Sequence, residues 1–253
     1  MPTPTRVRVV DLETTGSRPP AHAVCEVGWQ DVVLGEDGHW QIDSGHGSLM
    51  IDPGRAIPPV TMAVHHIMDE DVKGAPFWPE AAPSILQGGD GVVALAAHRA
   101  SFEQRFCTPK LSGGARWICT WKCALRVWPD SPGFSNQVLR YWRMPTGLER
   151  DKGLPVHRAF PDAYVTAHHL RDQLNAAGLD ALLAWSAEPG LLPRVPYGTD
   201  KGRYWRELTD GELLRYSNDR NEDVRFSART EIERRSETVA TKPKAAPAQG
   251  ELL

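Results

Sequence analysis

VRVVDLETTG, residues 7–16, is the stretch on which the reading of this chain turns. Val7 to Asp11 is an apolar, β-branched run that breaks at Thr-Thr-Gly, the pattern of a buried strand followed by a turn. The two-residue period of a strand puts the carboxylates of Asp11 and Glu13 on the same face. Beside Val9, Val10 and Leu12 these like charges repel each other and are costly to desolvate. A divalent cation held between them removes both penalties, and hard carboxylate oxygens favour Mg²⁺ or Mn²⁺ over zinc. A pair of carboxylates on an exposed strand end is the other reading that the ten residues leave open.

Outward from this strand, Val24–Val33 alternates enough to form a second strand, with a hairpin turn at Gly35–Gly38, and Trp40–Ile51 reads as a third. The prolines of IPPVTMAVHHI (57–67) open a helix. Gly91–Ala97 is a further buried strand, and Ala100–Phe106 continues it as a helix with Phe102 and Phe106 four apart on one face. Ile118–Trp128, Asn136–Trp142 and Asp162–Ala177 read as helices, the last ended by Gly178. Strands come first and then alternate with helices, which predicts an α/β domain with a mixed sheet over residues 5–177. Residues 178–196 read as a linker, 197–235 as a small charged module, and 236–253 as a disordered tail with few large apolar residues.

Composition sets limits on the function. The 253 residues are 41% apolar and 24% charged, ordinary globular values that argue against wholesale disorder. Runs of about 18 apolar residues are missing, so no membrane-spanning helix is expected. The opening MPTPTRVRVVDLE has no long apolar core after its basic residues, so no signal peptide is expected and the default location is the cytoplasm. Cys25, Cys107, Cys119 and Cys123 are too few and too scattered for a disulfide scaffold and are expected to be buried thiols. Charge is segregated: residues 1–98 carry 5 basic and 13 acidic side chains, and residues 99–158 carry 11 basic and 4 acidic. A cation-rich segment beside an acidic one suits a site that holds an anionic polymer.

VVDLETTG also resembles the first motif of the DEDD 3′–5′ exonucleases, the family that includes proofreading subunits, RNase T and exodeoxyribonuclease X. Two further motifs follow in family order. AHRASFEQRF (97–106) resembles the second, with Arg99 where asparagine is common and Glu103 where the family has a metal-binding aspartate. HRAFPDA (157–163) supplies the His-x4-Asp of the third through His157 and Asp162. The resemblance implies an RNase H-like fold of the histidine-bearing (DEDDh) branch. It also implies a 3′–5′ exonuclease releasing nucleoside monophosphates from DNA ends, with single strands preferred. RNA is the alternative substrate, and a weakly catalytic end-binding or polymerase-accessory protein is the alternative class.

In the mechanism that the resemblance implies, Asp11, Glu13, Glu103 and Asp162 hold two Mg²⁺ or Mn²⁺ ions about 4 Å apart, and His157 is the general base. Thr14 and Thr15 offer backbone N–H groups to the terminal 3′ hydroxyl, and His66, His98 and Phe102 are candidate substrate contacts. Glu103 keeps the charge of the usual aspartate but adds a methylene, which displaces the carboxylate by about 1–1.5 Å. The module at 197–235 resembles the C-terminal appendage of exodeoxyribonuclease X-like proteins, with Thr199 and Asp200 as departures and Tyr204 and Trp205 as aromatic candidates for base stacking. A polymerase or repair partner and no membrane complete the expected associations.

Overall fold

The computed structural model describes residues 4–240. These divide into two compact units, on either side of the boundary between Glu188 and Pro189. The first is built on a five-stranded mixed sheet ordered β3-β2-β1-β4-β5, from β1 (Arg6–Thr14), β2 (Val24–Leu34), β3 (Trp40–Met50), β4 (Val92–Ala97) and β5 (Trp117–Cys119). The β1–β2 and β2–β3 pairs are antiparallel, and β4 and β5 are added in parallel to β1. Helices cover both faces: α1 (Pro59–His65), α2 (Trp78–Leu86), α3 (Glu103–Phe106), α4 (Pro109–Ser112), α5 (Thr120–Val127), α6 (Asn136–Arg143), α7 (Ala159–Ala177) and α8 (Leu179–Ala187). The chain thus has the mixed-sheet α/β architecture that its order of strands and helices implied, and the RNase H-like fold that the family resemblance implied.

Alternation in β1 divides the core in two. Val7 and Val9 point to one face, where Ala163, Ala167, Leu170 and Leu174 of α7 cover them. Val10 and Leu12 point to the other, against Trp78, Ala82 and Ile85 of α2. Asp11 and Glu13 continue the row of Val7 and Val9, so they emerge on the face that α7 covers. The long helix and the paired carboxylates therefore meet by strand periodicity alone.

Several boundaries differ from the sequence reading: α7 begins at Ala159 rather than Asp162, and α3 at Glu103 rather than Ala100. Ile118 and Cys119 belong to β5, and the helix behind them begins at Thr120. Residues 178–196 are not a plain linker: α8 occupies half of it, and its Leu182 is fully buried in the core beneath α7. A stretch rich in Leu and Ala forms a helix there because it has an apolar face to cover. The last helix, α10 (Glu222–Ala240), runs into the region expected to be disordered, and the rest of that expectation, 241–253, lies outside the described residues.

In the second unit, α9 (Asp210–Tyr216) opens with a Thr209–Glu212 capping box. Val195, Trp205, Leu208, Leu213, Val224 and Ala228 form its own core. Trp205 is thus a core residue, with its indole N–H donated to the Leu192 carbonyl at 2.7 Å, rather than a stacking platform. Tyr204 stays at the surface between Arg194 and Arg206, whose guanidinium carbons lie 4.0 and 4.3 Å from its ring centre. All four cysteines are free and buried. Among the described residues, no helix is long and apolar enough to cross a membrane.

Candidate active site

In β1, Asp11 lies opposite Gly28 of β2, and Glu13 lies opposite Glu26. A Cβ on Gly28 would stand 2.2 Å from both the carbonyl carbon of Ala159 and the nitrogen of Phe160. Only a residue without a side chain lets the first turn of α7 lie directly on the sheet beside Asp11. That contact carries Asp162, one turn further along α7, to the paired carboxylates. Ligand oxygens of Asp11, Glu13 and Asp162 all lie within 4.8 Å of one another.

The start of α7 is also held from the sheet. Glu26 is 4% exposed, and both of its carboxylate oxygens accept from Arg158, Nε and Nη2 each at 2.9 Å. The backbone N–H of Ala159 donates to the same carboxylate at 3.0 Å. Asp162 is then oriented by its neighbours: Oδ2 accepts the His157 N–H at 2.7 Å, and Oδ1 accepts Gln137 Nε2 at 2.9 Å. Asn136 donates to the Asp162 carbonyl at 3.2 Å, and its own carbonyl is bonded to His169 Nε2 at 3.1 Å. His169 therefore serves as a support behind α6. Glu26, Gly28, Gln137 and Arg158 were not singled out from sequence. An acidic residue two positions before a glycine inside an apolar strand was the available signal.

Glu103 begins α3, beyond the end of β4, and is 4% exposed. It lies outside the 4.8 Å set formed by the other three carboxylates. Its Oε2 is buried and makes no hydrogen bond. Burial, with the nearby Glu13 charge adding to it, pushes its carboxyl up to about 8. Glu13 is likewise pushed up to about 8, first by burial and then by the Asp162 and Glu26 charges, against the opposing pull of Arg158. Asp11 is raised well above the carboxylate range by burial and by all four neighbouring carboxylates, Glu13, Asp162, Glu103 and Glu26. Asp162 is raised by burial, with its hydrogen bonds from His157 and Gln137 pulling the other way.

The other sequence candidates fall in varied places. His157 is exposed beside Asp162, in a left-handed backbone with φ of 61°. Thr15 cannot offer its backbone N–H to a substrate, because that group donates to the Ala23 carbonyl at 2.9 Å. Thr14 is buried at the end of β1 and turns its hydroxyl to the Gly16 carbonyl at 2.8 Å. His98 is likewise engaged inside the protein: Nδ1 meets Thr120 Oγ1 at 3.0 Å, and Nε2 meets the Phe134 carbonyl at 2.8 Å. Burial pushes it down to about 4, so it is a neutral tie between β4, α5 and the loop before α6. His66 is exposed at the end of α1, whereas its neighbour His65 is buried and accepts from the Ile67 N–H at 3.0 Å. Phe102 is half-buried, with its ring 5.5 Å from that of Phe106.

The donor set fits a hard divalent cation. Three carboxylates converge from β1 and α7, the charge of Glu103 on α3 acts on them from nearby, their protons are held by burial and mutual repulsion, and one buried Glu103 oxygen has no partner. Each of these features is a cost that a bound cation would offset.

No family model matches the chain. Exodeoxyribonuclease 10 of Escherichia coli strain K12 is 32% identical over 205 residues, covering 78% of this chain and 82% of that protein. The structure of exonuclease X in complex with 5′ overhanging duplex DNA superposes with a TM-score of 0.58 at 29% identity, covering 71% of this chain and 99% of that one. Exonuclease I shares the fold, with a TM-score of 0.52 at 11% identity over 72% of this chain and 43% of that one. With its paired β1 carboxylates, its Asp162 on α7 and this level of identity to exodeoxyribonuclease 10, the chain belongs to the exodeoxyribonuclease X family of DEDDh-type exonucleases.

Proposed function

We propose that this protein is a metal-dependent 3′–5′ exodeoxyribonuclease that removes nucleoside monophosphates from DNA ends and prefers single strands. The observation that carries the reading is the convergence of Asp11, Glu13 and Asp162 within 4.8 Å, next to the unpartnered oxygen of Glu103. These four residues would hold two divalent cations, Mg²⁺ or Mn²⁺. Bound there, such ions supply charge stabilisation for the phosphodiester and a lowered pKa for water.

The chain's own groups do the rest. His157 is exposed to the solvent side of the carboxylates, where an imidazole nitrogen can take a proton from the attacking water. Its backbone is tied to Asp162 Oδ2 through its N–H, which keeps the residue next to that carboxylate. Asp162 is held on two sides by Gln137 and His157, which leaves its lone pairs aimed rather than free to rotate. Arg158 is bound to Glu26 and lowers the repulsion at Glu13. The cation-rich segment 99–158 supplies charge for a phosphate backbone. Four buried thiols agree with a cytoplasmic location.

One observation favours a second reading. Glu103 stands outside the tight carboxylate set, which suits a weak catalyst that holds DNA ends. The purified chain, given 5′-labelled single-stranded DNA with Mg²⁺ or Mn²⁺, separates the two. A ladder shortening from the 3′ end, absent in Asp11→Ala, is the expected result. DNA binding without shortening in either metal sinks the exonuclease reading and leaves the end-binding one. An RNA strand of the same sequence, run in parallel, tests the sugar preference.

A further inference from the structure

Strands β1, β4 and β5 run parallel, so their C-terminal ends share one edge of the sheet. Ligands of α/β sheets gather at such an edge. Asp11 and Glu13 stand there, near the end of β1. β4 ends at Ala97, one residue past the pairing of Val9 with Ala96, so the turn at 98–100 leaves the sheet level with Asp11. Arg99 is the middle residue of that turn. It is exposed, and its backbone is left-handed with φ of 66°, a conformation that residues with a Cβ adopt only at a cost.

The side chain is set in place by its surroundings. Its guanidinium carbon lies 4.1 Å from the ring centre of Trp121, which is buried in the first turn of α5. The residues that precede these two, His98 and Thr120, are joined Nδ1 to Oγ1 at 3.0 Å. His98 Nε2 also meets the Phe134 carbonyl at 2.8 Å, two residues before the Asn136 that donates to the Asp162 carbonyl. Arg99 is therefore tied into the framework that holds the carboxylates. Yet none of its five N–H donors meets an acceptor among the described residues. Other cations of the 99–158 segment are spent or elsewhere. Arg126 is paired with Glu188, Arg143 with Asp172 and Arg158 with Glu26. Arg116 precedes β5 and lies at the opposite edge of the sheet. A guanidinium held over a ring with its donors free suits the oxygens of a phosphodiester, because its planar fork matches them and less side-chain freedom is lost on binding.

We propose that Arg99, held over Trp121, is a phosphate-binding residue for the substrate strand, at a linkage next to the one that the carboxylates receive. The inference rests on the reading of a nucleic-acid strand as the substrate, in its exonuclease or its end-binding form. The contact is to the backbone and not to a base, so it strengthens binding without regard to sequence.

The test measures binding of a 5′-fluorescein-labelled single-stranded DNA by anisotropy, in Mg²⁺, to the full chain carrying Asp11→Ala, which leaves the strand whole. Arg99→Asn is added to it, since asparagine tolerates a left-handed backbone. The affinity should fall by about tenfold, and the slope of log K against log salt should lose about 0.7, the share of one phosphate contact to a single strand. Arg99→Lys should keep the slope and lose part of the affinity, because the charge remains without the fork. Strands with a single uncharged methylphosphonate near the 3′ end locate the contact: at one linkage the substitution should weaken binding when Arg99 is present and have no effect on Arg99→Asn. Unchanged affinity in Arg99→Asn overturns the proposal. So does a loss of affinity at an unchanged salt slope, which is the mark of a structural role, and so does the absence of a linkage that Arg99→Asn ignores. If the unsubstituted chain shortens no strand in either metal while the Arg99 effects hold, the exonuclease reading fails and the phosphate site stands. No binding of DNA by either chain ends both.

Discussion

His157 combines three properties that rarely coincide in one residue: exposure, a left-handed backbone with φ of 61°, and an N–H bonded to a buried carboxylate. For a residue with a Cβ that backbone costs about 1–3 kcal/mol, and it persists where the surroundings hold it. Here the hold on the backbone is Asp162, whose carboxylate accepts the His157 N–H. His157→Ala should lower the single-turnover rate by about 10²–10⁴-fold while DNA-end binding is retained. A loss of threefold or less in quenched-flow measurements would remove the general-base role. Glu103 makes a second prediction at this scale. Its longer side chain works only if α3 sits back from the cluster, so Glu103→Asp should not rescue the rate and should reduce it. A faster Glu103→Asp, measured in the same assay, would mean that the natural glutamate is the weak ligand.

At the scale of elements, the decisive contact is the first turn of α7 on Gly28. Gly28→Ala places a methyl group where Ala159 and Phe160 backbone atoms stand 2.2 Å away. The helix must lift, at an expected cost of about 1–3 kcal/mol in urea unfolding. A displacement of about 1 Å at Asp162 should also cost about 100-fold in rate. A folded variant with full activity would show that α7 is not positioned by this contact. The paired carboxylates of β1 were legible because strand period is local, and His157 and Asp162 because five residues carry their relation. Glu26 was not, since the arginine that explains it lies 132 residues along the chain. His98 invited a substrate role because no local pattern shows that Thr120 and Phe134 consume both of its nitrogens. The three-residue β5 was hidden in the helix it precedes, and α8 looked like a connector because the core that it caps is assembled from distant strands. Truncation after Ala177 should therefore cost the first unit its cooperative melting, whereas truncation after Glu188 should preserve it. Equal melting temperatures for the two truncated chains would return α8 to the status of a linker.

Across the whole molecule, the buried titratable groups set an expected pH profile. Glu13 and Glu103 titrate near 8 in the folded chain, above their unfolded range, so the folded state binds more protons between about 4.5 and 8. Their contribution is present at low pH and is lost as pH rises through that window. His98 and His168, near 4, and His169, near 3, lie below their unfolded value of about 6.5. Their contribution is present above about 6.5 and is lost as pH falls towards their folded values. The two sets oppose each other in mild acid, and above about 6.5 only the carboxylates remain. The metal-free melting temperature should therefore fall from pH 6.5 to 8, and Mg²⁺ or Mn²⁺ should raise it more at pH 8 than at pH 6.5. A cation effect that is the same at both values would mean that binding releases no protons, and that the carboxylates are ionised without it. The register of β1 has a consequence for how such a protein can change length over evolutionary time. Asp11 faces Gly28 and Glu13 faces Glu26 through a ladder of strict alternation, so inserting or deleting one residue between Val7 and Asp11 turns both carboxylates to the α2 side and brings valine and leucine to the cluster. Two residues restore the face but shift the pairing with Gly28. Length variation is thus quantised in this strand and costly at every step, whereas the hairpin turn at 35–38, where a side chain on Gly38 would meet nothing within 4 Å, has room for it.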